Sequence, residues 1–145
     1  MGQSATETII VKASPEAVYA IAADFAGYPN WVADLKSVSV LESDEAGRAA
    51  VVEFRAAAFG RTSTYSLRYN YSDAPRSLSW SQHEGDLTTK LDGTYRFDAV
   101  EGGTKVTYEL DVELLVPLPG FVKSRAAQRI QAQALRELKT RAERA

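Results

Sequence analysis

The chain has no cysteine and only one histidine. Without cysteine there is no disulfide framework, no thiolate nucleophile and no zinc site of the usual thiolate kind. One imidazole cannot form a histidine cluster, and H-E-x-x-H and calcium-loop spacings are both missing. Neither a metal nor a cofactor is therefore expected. A serine triad would need that histidine together with a G-x-S-x-G elbow, and the elbow is absent. The glycines of "EGGTK" lack Walker spacing and sit where a hairpin turn belongs. No apolar run approaches the length needed to cross a bilayer. The first residues contain neither a basic region nor an apolar core, so no secretory signal is read and a cytoplasmic setting is expected. They do match the loose myristoylation pattern through Gly2 and Thr6, a pattern too short to carry an assignment.

What is present is ordinary globular composition: 145 residues, 45% hydrophobic and 25% charged. That suits one domain spanning residues 1–145, with no repeat or low-complexity linker inside it. The net charge of −2 hides an asymmetry, because from Pro119 onward seven basic residues face Glu137 and Glu143. Such a tail is either the solvated face of a long helix or a weak contact for an anionic or membrane surface. Nucleic acid is not expected, since the arginines have no aromatics interleaved with them.

Hydrophobic periodicity orders the chain. "TETIIVKAS" alternates as a strand, with Ile9 and Val11 facing one way. Ser14 and Pro15 are a helix start, a capping hydroxyl followed by a residue suited to the first helical position. Val18, Ile21 and Ala22 then form a short apolar face. Asp24 to Ala33 reads as a second short helix or turn, interrupted at "GYP" because the residue before a proline is pushed out of the helical region. Six segments of period two follow, parted by "DEAG", "FGR", "DAPR", "EGG" and similar turns, which predicts an antiparallel meander with one polar face. The clearest is "TKVTYELDVELL", with Val106, Tyr108, Leu110, Val112 and Leu114 facing in. After "VPLPG", Phe121 to about Arg144 has no helix breaker. Ala126, Ala127, Ile130, Ala134, Leu135, Leu138 and Ala142 gather on one half of its wheel.

A sheet with one apolar face needs a cover, and only the last helix is long enough to supply one. The expected inner face of the sheet is aromatic (Phe54, Tyr65, Tyr69, Trp80, Tyr95, Phe97, Tyr108), while Ala127, Ile130 and Ala134 face it from the helix. Small residues opposite large ones either interdigitate or leave a slot for a flat apolar guest.

Three stretches carry a family resemblance: "IIVKASPEAVYAIAADFAGYPNWVADLKSVSV", "GTYRFDAVEGGTKVTYELDVEL" and "VPLPGFVKSRAAQRIQAQALRELK". The chain resembles the polyketide cyclase/dehydrase branch of the START-like helix-grip superfamily (SRPBCC) over essentially its whole length. The resemblance implies an α+β fold in which a curved seven-stranded antiparallel sheet grips a long C-terminal helix, with two short helices after strand 1. It also implies a hollow that binds lipids, polyketides, sterols or quinones, with Phe25, Tyr28, Pro29 and Trp31 at one end. It brings no fixed catalytic motif, because fold does not imply function.

The residues leave three functional readings open. In the first, the hollow binds or carries a hydrophobic small molecule, with Gln131, Lys123 and the tyrosine hydroxyls as its polar contacts. Gln131 stands on the apolar half of the wheel, where its amide needs a partner or a ligand. Lys123 lies close to the "PLPG" entrance. The second is a polyketide cyclase, aromatase or dehydratase using the same hollow, with tyrosine, Gln131 or His83 moving protons. His83 also fits an unremarkable exposed position near a turn. The third is a partner-binding module using the basic helix face. Both a monomer and a homodimer are compatible with the sequence.

Overall fold

The computed structural model describes residues 3–58, 61–115 and 119–144, without the side chains of residues 3, 58 and 121. The Gly2 pattern, the turn at residues 59 and 60 and the breaker at 116–118 lie outside the described residues. Strand β1 (Gln3–Val11) alternates as its sequence requires, with Val11 fully buried and Ile10 49% exposed. Helix α1 (Pro15–Ala22) begins at Ser14, whose hydroxyl accepts from the Ala17 amide at 3.2 Å. That bond satisfies one of the amides a helix start leaves free. Val18 and Ala22 are its buried face.

The next segment winds into a short 3₁₀ helix, Phe25–Asn30, with Pro29 inside it. The amides of Trp31 and Val32 both turn back to the Tyr28 carbonyl, at 3.0 and 2.8 Å. This tight winding suits a stretch where proline disfavours the α region one residue earlier.

Six strands follow: β2 (Leu35–Ser43), β3 (Ala49–Ala58), β4 (Arg61–Asn70), β5 (Ser77–Gly85), β6 (Thr88–Val100) and β7 (Gly103–Leu114). They form the expected meander, and β1 pairs antiparallel with β7, giving the order β1-β7-β6-β5-β4-β3-β2. The two short helices therefore carry the chain from one edge of the sheet to the other. Gly102, at φ 81, makes the β6–β7 turn in the left-handed region that only glycine enters freely. Register shifts between Ser66 and Leu67, between Thr88 and Lys90, and at three points of β2 mark where the strands bend.

Strand β7 shows the two faces most clearly. Val106, Tyr108, Leu110 and Val112 are buried, while Glu109 and Asp111 reach across the outer face to Arg96 and Lys90 at 2.7 and 2.8 Å. Exposed pairs of this kind contribute about 0–1 kcal/mol each. Their main effect is to keep that face polar.

Helix α2 (Gly120–Arg144) packs along β1 and β7. Ala127, Gln131, Leu135, Leu138 and Ala142 are its buried residues, spaced three and four apart as one helix face demands. Its C-terminal end is tied to β1: the Lys12 amide donates to Glu143 Oε2 at 2.9 Å and Lys139 Nζ to the Ile10 carbonyl at 3.2 Å. Among the described residues, no helix is long and apolar enough to cross a membrane.

Candidate functional site

Because α2 covers the β1 and β7 side of the curved sheet, the rest of the concave face is left to close by other means. The result is a cavity of about 270 Å³ between β3–β7, α2 and the segment following the 3₁₀ helix. From the sheet, Phe54, Tyr65, Tyr69, Trp80, Tyr95 and Tyr108 face it. Tyr28 and Trp31 close it from the 3₁₀ segment, and Ile130 and Ala134 from α2. Lining residues that are also exposed, Asp34, Ala57 and Ile130, mark its mouth.

The aromatic wall runs in two stretches, joined through Phe25 behind them. Trp31 meets Tyr28 at a ring separation of 5.0 Å, Tyr28 meets Phe54 at 6.1 Å, and Phe54 stacks on Tyr65 at 5.4 Å. Farther along, Tyr69, Trp80, Tyr95 and Tyr108 follow one another at 4.6 to 5.9 Å. Tilted and edge contacts of this kind are worth about 0.5–1.5 kcal/mol each beyond burial alone. The wall can therefore stand without a guest.

A single glycine sets how deep the wall lies. Trp80 pairs with Gly93 across β5 and β6, and a Cβ on Gly93 would stand 2.4 Å from Trp80 Cζ2. Only a residue without a side chain lets the indole lie against the sheet. Gly93 was not anticipated, although a glycine inside an otherwise alternating strand is a signal the sequence offers.

Five residues expected in the hollow do not line it. Phe25 and Phe97 are core residues, 3% and 4% exposed, and Phe25 supports the wall from behind against Tyr69 at 4.3 Å. Ala127 is buried where α2 meets the sheet. Lys123 sends its ammonium to the Leu114 carbonyl at 3.3 Å, so it does not supply a cation to the cavity. Gln131 is fully buried, and its amide nitrogen donates to the carbonyls of Ala5 and Tyr108 at 2.9 and 3.0 Å. The partner that its position demanded is thus the backbone of β1 and β7, although its Oε1 has none. His83 lies within β5, exposed, with Glu84 Oε1 at 4.0 Å, and takes no part in the lining.

Five of the polar side chains that line the cavity are phenols. Among the described residues, the hydroxyls of Tyr65, Tyr69, Tyr95 and Tyr108 have no hydrogen-bond partner. Tyr28, by contrast, donates to the Ala22 carbonyl. Burial pushes the Tyr65 phenol up to about 12. It also holds Tyr69, Tyr95 and Tyr108 well above the usual phenol value, with neighbouring tyrosines adding to the effect and Glu137 adding to it at Tyr95. Placing charge on any of them is costly because the surroundings are poorly solvated and the rings are close together. These hydroxyls are therefore neutral groups that can donate to a carbonyl oxygen, and they are poor bases or nucleophiles.

Two acidic residues at the rim were not anticipated, because nothing in a helical wheel or a strand pattern distinguishes them. Asp34 and Glu137 both line the cavity. Each also fastens the segment after the 3₁₀ helix to α2: Gln133 Nε2 donates to Asp34 Oδ2 at 2.9 Å, and the Ala33 amide to Glu137 Oε2 at 2.8 Å. Arg129 and Arg136 are exposed on α2 and do not line the cavity.

Comparison with known proteins agrees with this architecture. A family model described as "Polyketide cyclase / dehydrase and lipid transport" matches residues 2–143. A START superfamily protein from Mycobacterium smegmatis superposes with a TM-score of 0.91 at 24% identity, covering 97% of each chain. The Zhui aromatase/cyclase from Streptomyces sp. R1128 gives 0.77 at 18% identity, over 99% of this chain and 95% of its own. Major latex-like protein 151 from Panax ginseng gives 0.73 at 16% identity, over 97% of each chain. At these identities the structures show a shared fold. No curated protein matches the chain in sequence.

Proposed function

Since the chain belongs to the polyketide cyclase/dehydrase and lipid transport family, we propose that it binds and carries a hydrophobic small molecule in the cavity between its sheet and α2. The observation that carries this reading is an apolar hollow of about 270 Å³ into which four tyrosines present hydroxyls without a partner among the described residues. A preformed apolar pocket with a few convergent polar groups is how small ligands are usually held, since burial supplies affinity and the polar groups fix orientation. The aromatic walls favour a flat guest. At an interior packing density of ~0.74 the hollow leaves about 200 Å³ for ligand atoms, the size of about two or three fused rings.

Filling the hollow is the direct test. Ala134→Phe puts a ring where α2 now offers a methyl group. Binding of 2-acetylnaphthalene, followed by quenching of tryptophan fluorescence and by native mass spectrometry, should weaken at least tenfold while the melting temperature holds. Unchanged retention of the probe in that variant would remove the cavity from the reading.

One observation favours a second reading, a cyclase, aromatase or dehydratase. Glu137 of α2 and Tyr95 of β6 both line the cavity, which puts a carboxylate and a hydroxyl donor in one hollow. A poly-carbonyl chain folded there would have a carbonyl polarised by the phenol and a proton acceptor in the carboxylate. Loss of turnover in Tyr95→Phe with binding retained would establish the enzyme. The exposed arginines of α2 play no part in either reading.

A further inference from the structure

The charge of the lining goes further than its shape. Asp34 and Glu137 are the only charged residues among the described residues that line the cavity, and both are acidic. Residues 59, 60 and 116–118 bear no charged side chain. Each rim carboxylate spends one oxygen on the tie to the facing segment, leaving Asp34 Oδ1 and Glu137 Oε1 without a partner among the described residues. Farther in, Tyr108 is 5% exposed, lines the hollow and has an unused hydroxyl. The interior thus offers hydrogen-bond donors to an acceptor oxygen, while the mouth holds two negative groups and no positive one.

Resting on the ligand-binding reading, we propose that this rim is a charge filter. The cavity admits ring compounds that carry a carbonyl oxygen and no negative charge, and it excludes guests ending in a carboxylate. The reasons are electrostatic and steric together. A carboxylate at the outer end of a guest would be brought up to Asp34 and Glu137, where like charges repel. A carboxylate pointed inward would be stripped of water with only neutral groups, the phenols among them, to meet it. A neutral ketone pays neither cost, and its oxygen can accept from Tyr108 or its neighbours. An ammonium at the outer end would find the two free carboxylate oxygens.

Three probes sharing one ring system separate charge from size: 2-acetylnaphthalene, 2-naphthylmethylammonium and 2-naphthoate, titrated at pH 7 with tryptophan fluorescence and calorimetry. The ketone and the ammonium are expected to bind at least tenfold more tightly than the carboxylate. In Asp34→Asn/Glu137→Gln, which keeps acceptor oxygens for Gln133 and the Ala33 amide, the ketone-to-carboxylate ratio should fall below threefold through tighter naphthoate binding. Each single variant should shift it partway, which covers the case of a double variant that does not fold. Lys123→Gln should leave the ratio unchanged, since that ammonium is on the Leu114 carbonyl. Equal or tighter binding of naphthoate by the wild type, or an unaltered ratio in a folded double variant, overturns the filter and leaves ligand binding standing. Binding of none of the three overturns both.

Discussion

One interior has two halves. Where α2 lies on β1 and β7, the Gln131 amide nitrogen meets two carbonyls and Thr104 Oγ1 donates to the Ala13 carbonyl at 2.7 Å, and Gln131 Oε1 is the one buried side-chain polar atom without a partner among the described residues. Where β3 to β5 curve away beyond the reach of α2, the same strand alternation ends in Tyr65 and Tyr69, whose hydroxyls have no partner among the described residues. The residue types do not explain the difference, for both halves are built from inward-facing apolar and aromatic side chains. The position of one helix does. A close-packed half supplies rigidity, and the half the helix fails to fill is available for a guest.

Truncation in the closed half should have the largest effect. Leu135, 2% exposed and outside the cavity lining, should cost about 2–5 kcal/mol as Leu135→Ala, read from urea unfolding, because the void cannot collapse. A loss under 1 kcal/mol would mean that this half is loosely packed too, and the contrast would fail.

Gly93→Ala probes the boundary. The added methyl forces the Trp80 indole off the sheet and into the hollow, which should cost about 1–3 kcal/mol and reduce probe binding together with the tryptophan signal. Retained binding would show that Trp80 has somewhere else to go.

Alkaline pH acts on the open half through its buried phenols. In the unfolded chain phenols ionise near 10, whereas burial raises the folded-state value of Tyr65 to about 12 and those of Tyr69, Tyr95 and Tyr108 well above 10. The unfolded state therefore releases protons first, so stability is intact below pH 10 and declines as pH rises past it, through about 12 for Tyr65. Tyrosinate absorbance should stay low until the chain unfolds. Early, fully reversible ionisation of these rings at pH 10 to 11 would mean that water already solvates the hollow.

The smallest change is expected from Tyr108→Phe. Because its hydroxyl has no partner among the described residues, unfolding free energy should shift by no more than about 0.5 kcal/mol, the range of a substitution that breaks nothing. Affinity for 2-acetylnaphthalene should fall while that for naphthalene holds. A stability loss above 1.5 kcal/mol would reveal a partner for this hydroxyl and bring the open half closer to the closed one.

How much of this could be read in the residues depends on the range of the interaction. The cap at Ser14, the meander, the inward side of β7 and the extent of α2 follow from neighbours a few positions apart, and all of them were legible. So was most of the aromatic wall, because strand parity puts Phe54, Tyr65, Tyr69 and Trp80 on one face. Parity also placed Phe97 there, but whether an inward ring lines a cavity or packs behind it depends on what lies above, and strand period holds no such information. Gln131 shows the same limit from the helix: its place on the apolar half was readable, while its two carbonyl partners come from strands 126 and 23 positions away.

By itself, then, the order of apolar and polar residues determined that seven strands, two short helices and one long helix would form, and which side of each would avoid water. Those are consequences of local backbone geometry and side-chain periodicity. Only the tertiary structure decided that α2 rests over β1 and β7, that the remaining volume stays open, and that Asp34 and Glu137 meet at its mouth from positions about a hundred residues apart. The reason is that a cavity is a mismatch between surfaces brought together by the whole fold, and no single segment encodes the space it fails to fill.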